Sequence, residues 1–462
     1  MTTANGIDSL LVIGKQPAEG TKALAAAGRL YPRVTATFDT EADKYSSNEI
    51  DPSQQQSDTR LGNFRTSGAI KGEASCDTYA VLLAALLRRD FTAGGTTAAQ
   101  NTIASGAMGL TRSAGSWLAD GHRAGTVVRI GGFLTTGAAN NGKNFFVKSA
   151  TALKLAGQFM DGSAMTVKVE GDPVTVTAPG KRSFTPLTGH TTDWFTAEVQ
   201  DPGIAVNRCF IDQLVSKVDV AVQPNGITSM DFTLMGKLEG PTTPAAYFAA
   251  PAATPGTGKF SSATAMLSVA GIPSQICTGM SLSLDGQVKI DPVIGSKFAT
   301  AASRGKVVGS GQFTVLMQDS AYIDYFKQEV ELPLAYAMAA STAPLAEVMT
   351  IAMGRIKITS AKVDDGEKNK IVTCAFDYRK SAKRKTAIDA STDEGSNQLV
   401  SVIDDNQKRM ALAVAVDWYG FTSNGAAVPF DKSMIDAAFD KYPTWQDRVT
   451  TALENDANFL KV

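Results

Sequence analysis

Two histidines, His122 and His190, are the only imidazoles in a chain of 462 residues. Paired-histidine metal motifs are therefore impossible, and a Ser-His-Asp triad would have to use one of these two. Asp120-Gly121-His122 and Thr188-Gly189-His190 both read as turns, so surface loop histidines are expected. Gly137–Asn144 (GAANNGKN) comes close to the phosphate-cradling pattern G-x-x-x-x-G-K-[ST]. Asn144 stands where the magnesium-binding hydroxyl belongs, and a strand rather than a helix should follow. Asn141-Gly142 reads better as a hairpin turn, because both residues tolerate positive φ. The adjacent carboxylates Asp364-Asp365 and Asp404-Asp405 have no pocket signature around them and read as solvated turn residues. Arg379–Lys385 (RKSAKRK) carries five basic residues in seven. It lacks the aromatics that would stack on bases, so it reads as linker. Cys76, Cys209, Cys277 and Cys374 lie far apart, without metal-ligand spacing, and are expected as buried free thiols. No catalytic, metal-binding or cofactor-binding residue is assigned, and neither an enzyme nor a cofactor is expected.

The totals agree with that. With 44 basic and 45 acidic residues the net charge is −1, which argues against a chain that coats nucleic acid or a membrane surface. The N-terminal MTTANGIDSLLVIG lacks a basic region, so neither a signal peptide nor a membrane span is expected. Dispersed free thiols fit synthesis and folding in a reducing cytoplasm. The length sets a prior of two to four domains.

Residues 9–14 and 33–38 read as strands, and residues 39–65 as a long exposed polar loop. A strand near 68–76 leads into a helix from Asp77 or Thr78, either a plausible N-cap, through about Arg89. Leu82, Leu83, Leu86 and Leu87 form its apolar face. Residues 110–179 read as a separate small β barrel or sandwich, with strands at 127–130, 145–149, 165–169 and 174–177. Strands resume at 194–199, 214–222 and 230–235. Residues 240–258 are rich in Pro, Ala and Gly and read as linker. A second block follows, with a hairpin signature at Asp285-Gly286, a helix near 320–328, and a last hairpin from 354–361 to 370–376. Beyond it, 410–416 is apolar, Asp417-Trp418-Tyr419 is aromatic, and short helices are expected at 432–441 and 445–455.

The second block echoes the first. Ile50-Asp51-Pro52 reappears as Ile290-Asp291-Pro292, and Ser67-Gly68 as Ser310-Gly311. Each glycine of the pair precedes a tyrosine, Tyr79 or Tyr322, by 11 residues. A repeat this long implies two related domains rather than a solenoid.

The order of these segments resembles the tail tube (major tail) proteins of bacteriophages with long, non-contractile tails. The resemblance covers roughly residues 1–380. It rests on YSSNEIDP (45–52), the strand-turn-helix unit 65–87, WLADGHRAGTVVRIGGF with NNG in the insert, TGHTTDWFTAEV, VQPNGITSMDFTLMGK and GRIKITSAKVDDGEKNKIVTCAFDYRK. It implies a mainly β chain with a duplicated sandwich or barrel-forming fold, each copy with a flanking helix. The implied organisation is a first tube domain from 1–105 and 181–250, with an inserted, outward-facing β module at 106–180. A second tube domain at 251–380 completes it; beyond the resemblance, residues 381–398 read as a linker and 399–462 as a small α+β accessory module. The resemblance also implies homotrimeric, pseudo-hexameric rings that stack head to tail as virion components. Viral DNA would pass without specific binding, and tape-measure, terminator and tip proteins would be partners. The protein would be made in the bacterial host cytoplasm, with no membrane contact. The rival expectation is a carbohydrate-binding virion surface protein, with Trp117, Trp194 and Trp418 as sugar platforms.

Overall fold

The computed structural model describes residues 3–378, apart from 51, 55–57, 187, 255, 271, 275 and 365–368, together with 422–423 and 426–427. The chain divides into two units, 1–397 and 398–462. The first is mainly β.

It opens with β1 (Leu10–Lys15), β2 (Arg29–Leu30), β3 (Thr35–Ser46), β4 (Thr59–Glu73) and α1 (Ala80–Leu87). Burial holds α1 rather than side-chain capping. Tyr79 occupies the N-cap position with no side-chain bond, so neither Asp77 nor Thr78 caps, while Leu82, Leu83, Leu86 and Leu87 are all buried.

Next, β5 (Thr92–Ala93) pairs with β13 (Lys181–Arg182) and closes a neck. Beyond the neck lie β6 (Thr96–Gln100), β7 (Ile103–Gly106), β8 (Gly109–Arg112), β9 (Val127–Gly131), β10 (Asn144–Ala150), β11 (Lys154–Phe159) and β12 (Val174–Thr177). They form one sheet in the order β6-β12-β9-β10-β11-β8-β7. Its end strands β6 and β7 are neighbours in the chain, so the sheet must curl back on itself. Trp117, Phe133, Phe145 and Phe159 fill the interior.

The chain then returns as β14 (Phe195–Asp201), β15 (Val206–Val222), β16 (Ser229–Gly236) and β17 (Leu238–Glu239). The second block is β18 (Ala265–Val269), β19 (Ile272–Ser274), β20 (Cys277–Asp285), β21 (Val288–Asp291), β22 (Ala301–Arg304), β23 (Val308–Leu316), α2 (Ala321–Lys327), β24 (Glu331–Ala339), β25 (Val348–Asp364) and β26 (Ile371–Tyr378).

The two blocks repeat one topology. In the first the strands pair in the order β2-β1-β14-β15-β16-β4-β3, and in the second β19-β18-β24-β25-β26-β23-β20. The registers coincide residue by residue. Gly68 lies opposite Phe38 and Leu234, and Gly311 opposite Leu282 and Phe376. The irregularities repeat too. The long strand carries a register shift between Val215 and Lys217 in one copy and between Ile358 and Ser360 in the other. A bulge bends a strand, and here it lets one long strand serve both sheets of a sandwich. The β15 half from Val206 pairs with β14, and the half from Leu214 pairs with β16.

Several expectations change. Residues 39–65 are largely β3 and β4 rather than a loop: Thr35–Ser46 pairs with Thr59–Lys71 in a long hairpin. The outer part of that hairpin has no buried face, so it shows no apolar alternation. Cross-strand charge supports it instead, with Arg65 3.4 Å from Glu41 and 3.0 Å from Asp43. Asn141-Gly142 is not a two-residue turn. A 3-10 helix, Thr135–Asn140, precedes it, and the Asn141 side chain bonds both the N–H and the C=O of Phe133. Asp285-Gly286 closes no hairpin either. The Gly286 N–H bonds Ser216 O, the Asp285 carboxylate takes the Gln287 N–H, and β21 pairs with β22. Residues 165–169 form no named strand, and Lys168 only bridges Ser105. The inserted sheet begins at Thr96 rather than 106, because β6 and β7 belong to it. The 240–258 stretch is not free linker, since Phe248 is fully buried against Val12 and Ala23.

Of the second unit, the described part is one short antiparallel pair, β27 (Thr422–Ser423) and β28 (Ala426–Ala427). Residues 381–398, Asp365, the Asp404-Asp405 pair, Arg379–Lys385, Trp418 and the expected helices at 432–441 and 445–455 lie outside the described residues.

Candidate functional site: an uncovered sheet face between two open edges

Each repeat contributes four strands to one antiparallel sheet, because β15 of the first pairs with β20 of the second. The resulting order is β3-β4-β16-β15-β20-β23-β26-β25. Residues alternate across it with period two. One face is apolar and packs into the sandwich core: Phe38, Ile70, Phe232, Val218, Val220, Leu282, Phe313, Cys374, Phe376 and Ile358 are all buried.

Along most of its length the other face is half-buried to exposed; at the end carrying Leu214 and Met235, β21 lies over it, with Val288 and Ile290 in the same apolar cluster. This face carries Ser67, Thr233, Ser281, Ser283, Ser310, Gln312 and Thr373 among its polar residues. Its charges are eight acidic (Asp39, Glu41, Glu73, Asp219, Asp231, Asp285, Asp364, Asp377) against five basic (Arg65, Lys71, Lys217, Lys357, Lys362), a net of −3. Four of the five cations are held by neighbouring carboxylates. Lys71 lies 3.5 Å from Asp231, Lys217 2.8 Å from Asp219, and Arg65 3.4 Å from Glu41, and Lys357 pairs with Glu329. Such a surface offers little to a phosphate backbone, because its positive charge is neutralised locally and its excess is negative.

The repeated Ser-Gly pair now has a physical account. Ser67 and Ser310 stand on the polar face. Gly68 and Gly311 stand on the core face, where an aromatic ring lies over each. A Cβ on Gly68 would meet the Phe38 ring at 2.4 Å, and one on Gly311 the Phe376 ring at 2.5 Å. The tyrosines 11 residues on, Tyr79 and Tyr322, start the two helices and pack on the same sheet, against Phe232 at 5.4 Å and Phe313 at 5.5 Å.

Among the described residues the sheet ends on two unpaired edges. β3 pairs only with β4, and the final half of β25 only with β26. Both of their counterparts, β20 and β15, are paired on each side. Both repeats also send an arm from the same end of the sheet. One follows β3 and the other follows β20, while the helices α1 and α2 follow β4 and β23 at the opposite end. Ile50 and Ile294 on these arms are fully exposed. The arms touch each other where Asn63 Nδ2 donates to Ser296 O at 2.7 Å and Phe64 lies 6.0 Å from Phe298.

A family model described as phage tail tube protein matches residues 6–383. The chain belongs to that family. No curated protein matches it. As a phage tail component, this tail tube protein is part of the virion.

The residues first weighed for chemistry do not converge on a site. His190 is exposed, as expected. His122 is not a surface histidine: it is 1% exposed, packs edge-on against Trp117, and its Nε2 lies 2.8 Å from Thr97 Oγ1. Burial pushes its pKa down to about 4. The near-miss phosphate loop is occupied by structural bonds, with Asn140 Nδ2 donating to Thr166 O at 2.8 Å. Trp117 and Trp194 are buried, which removes two of the three candidate sugar platforms. All four cysteines are free, and burial raises the pKa of Cys76 to about 12 and of Cys374 to about 11. Among the described residues no group of three His, Cys, Asp or Glu is placed to hold a metal ion.

Sequence reasoning left the residues of the polar sheet face and the open edges undetermined. The alternation in 218–222 was a usable signal for the first. The second had none, since an edge is defined by a missing neighbour.

Proposed function

We propose that three copies of this chain close into a pseudo-hexameric ring, and that rings stack head to tail into the tube of a long, non-contractile tail. The uncovered acidic face would then line a channel that conducts viral DNA. One observation carries the reading: the joint between the two repeats is a template for the joint between chains. Within the chain, Val220 opposes Leu282, Asp219 opposes Ser283 and Lys217 opposes Asp285. Repeat equivalence carries these positions onto the free edges, as Val363 opposite Phe38, Lys362 opposite Asp39 and Ser360 opposite Glu41 of the next chain. The seam would bury Val363, set opposite charges across it, and satisfy two rows of unpaired backbone groups. Three chains with eight inner strands apiece close a barrel, and closure removes the edges.

The stacking direction follows from the arms. They leave one end of the sheet and the helices stand at the other, so a heterologous arm-to-helix-end contact repeats without closing. Exposed Ile50 and Ile294 supply its apolar part. We assign no catalytic role. Tape-measure, terminator and tip proteins would be the partners, and residues 399–462 would serve as an appendage or in assembly.

Negative-stain electron microscopy of the purified protein tests the proposal. Hollow tubes or rings with three-fold symmetry are expected. A protein that stays monomeric at high concentration overturns it.

A further inference from the structure

We infer that the inserted module is a clamp that fixes the angle between the two repeats of one chain, rather than an ornament on its surface. The module leaves the first repeat at the β5/β13 neck but docks on the second. Its strands β9 and β10 are buried on both faces. Val128, Ile130, Phe145 and Val147 point into the module's own core, while Val127 and Phe146 point out of it. Those two seat on a strip of small residues, Ala335, Ala337 and Ala352, on the outer side of the second sandwich. Alanines give a flat bed that lets a phenylalanine ring approach closely, and Phe146 is fully buried there.

Polar bonds fix the seat in place. Arg129 Nη2 donates to Leu345 O at 2.9 Å and to Ala346 O at 2.8 Å. Asn144 Nδ2 donates to Ala346 O at 2.9 Å, and the Leu345 N–H donates to Gly142 O at 3.1 Å. The module thus spans the β15/β20 joint from outside, with one foot on each repeat.

The clamp can hold only this joint. On the first repeat, Glu198 and Gln200 occupy the places of Ala335 and Ala337. They are already covered, because Glu198 takes the Tyr247 N–H at 2.6 Å and the Phe248 N–H at 2.9 Å. In the second repeat, α2 runs into β24 through residues 328–330 alone, so no second module reaches over the following chain. In the ring proposed above, on which this consequence rests, three clamped joints would alternate with three bare ones.

The test is hydrogen–deuterium exchange on the full-length chain, comparing wild type with Phe146→Asp and with the double variant Arg129→Ala/Asn144→Ala. Amides of 217–222 and 280–285 at the joint should exchange at least tenfold faster in both variants, while the β4/β16 pair inside the first repeat is unchanged. Should Phe146→Asp also deprotect the module's own strands, the double variant decides, since it removes hydrogen bonds only. Undisturbed joint protection in a variant whose module has detached overturns the clamp. The measurement needs no assembly, so a chain that forms no rings would sink the ring reading and leave this one standing.

Discussion

Val363 and Val220 hold the same position in two copies of one strand, yet Val363 is 42% exposed and Val220 is 3% exposed. The difference is the second neighbour: Leu282 of β20 lies opposite Val220, whereas among the described residues Val363 pairs only with Val372 of β26. Val363→Asp should leave the monomer within about 0.5 kcal/mol of wild-type stability, as for most exposed sites. It should abolish rings, because the seam would bury an unpaired carboxylate. Val220→Asp should instead destabilise the monomer by about 3–5 kcal/mol. Denaturant melts alongside size-exclusion chromatography separate the two effects. Normal assembly of Val363→Asp would remove β25 from the seam.

Lys362 and Asp39 give a test of register rather than of contact. The proposed seam would set them opposite each other, and Asp39 is already 3.7 Å from Arg208 of its own chain. Lys362→Glu alone should slow assembly and make it more salt-dependent, since like charges directly opposite are unfavourable by about 0.2–1 kcal/mol per pair. Combining it with Asp39→Lys should restore the rate. Light scattering at several salt concentrations reads this, and a failure of the double reversal to rescue would place another residue opposite Lys362.

The acidic face is predicted to matter to DNA and not to folding. Ser283, Ser310 and Asp377 lie in one row across β20, β23 and β26. Changing all three to Lys should permit tube formation but create salt-sensitive DNA retention, with a slope of about 0.9 per phosphate contacted. Wild-type tubes should retain none in the same filter-binding assay. Equal behaviour of the two would mean that this face does not meet the channel.

His122 sets a pH dependence of the module. It is neutral in the folded state, with a pKa of about 4 against 6.5 when unfolded. Above 6.5 neither state binds the proton and stability is constant. As pH falls from 6.5 toward 4 the unfolded chain gains a proton that the folded module refuses. Stability should therefore drop by about 3 kcal/mol across that window. Denaturation followed by Trp117 fluorescence measures it, and His122→Gln should flatten the slope.

Much of the architecture was readable from local chemistry. The Ser-Gly pairs and the matched spacing to Tyr79 and Tyr322 located equivalent strands and helices, because a glycine under an aromatic ring tolerates no substitution. The rest of the repeat was hidden, since equivalent core positions ask only for apolar bulk: Ile70 matches Phe313, Phe232 matches Cys374 and Phe210 matches Met353. The β3/β4 arm read as loop because neither of its faces is buried. His122 read as exposed because a DGH turn says nothing of the Trp117 ring beneath it. The edges and the clamp depend on which neighbour is present, and that is a property of tertiary placement.

Joining two repeats in one chain, with a clamp across one joint, also changes the arithmetic of mistakes. A ring assembled from single repeats can err by one unit, closing with five or seven. A ring assembled from fused pairs can err only by two, and the curvature needed to absorb so large a step lies far from that of the correct ring. Fidelity of the bore would then be written into the covalent chain, before any subunit meets another.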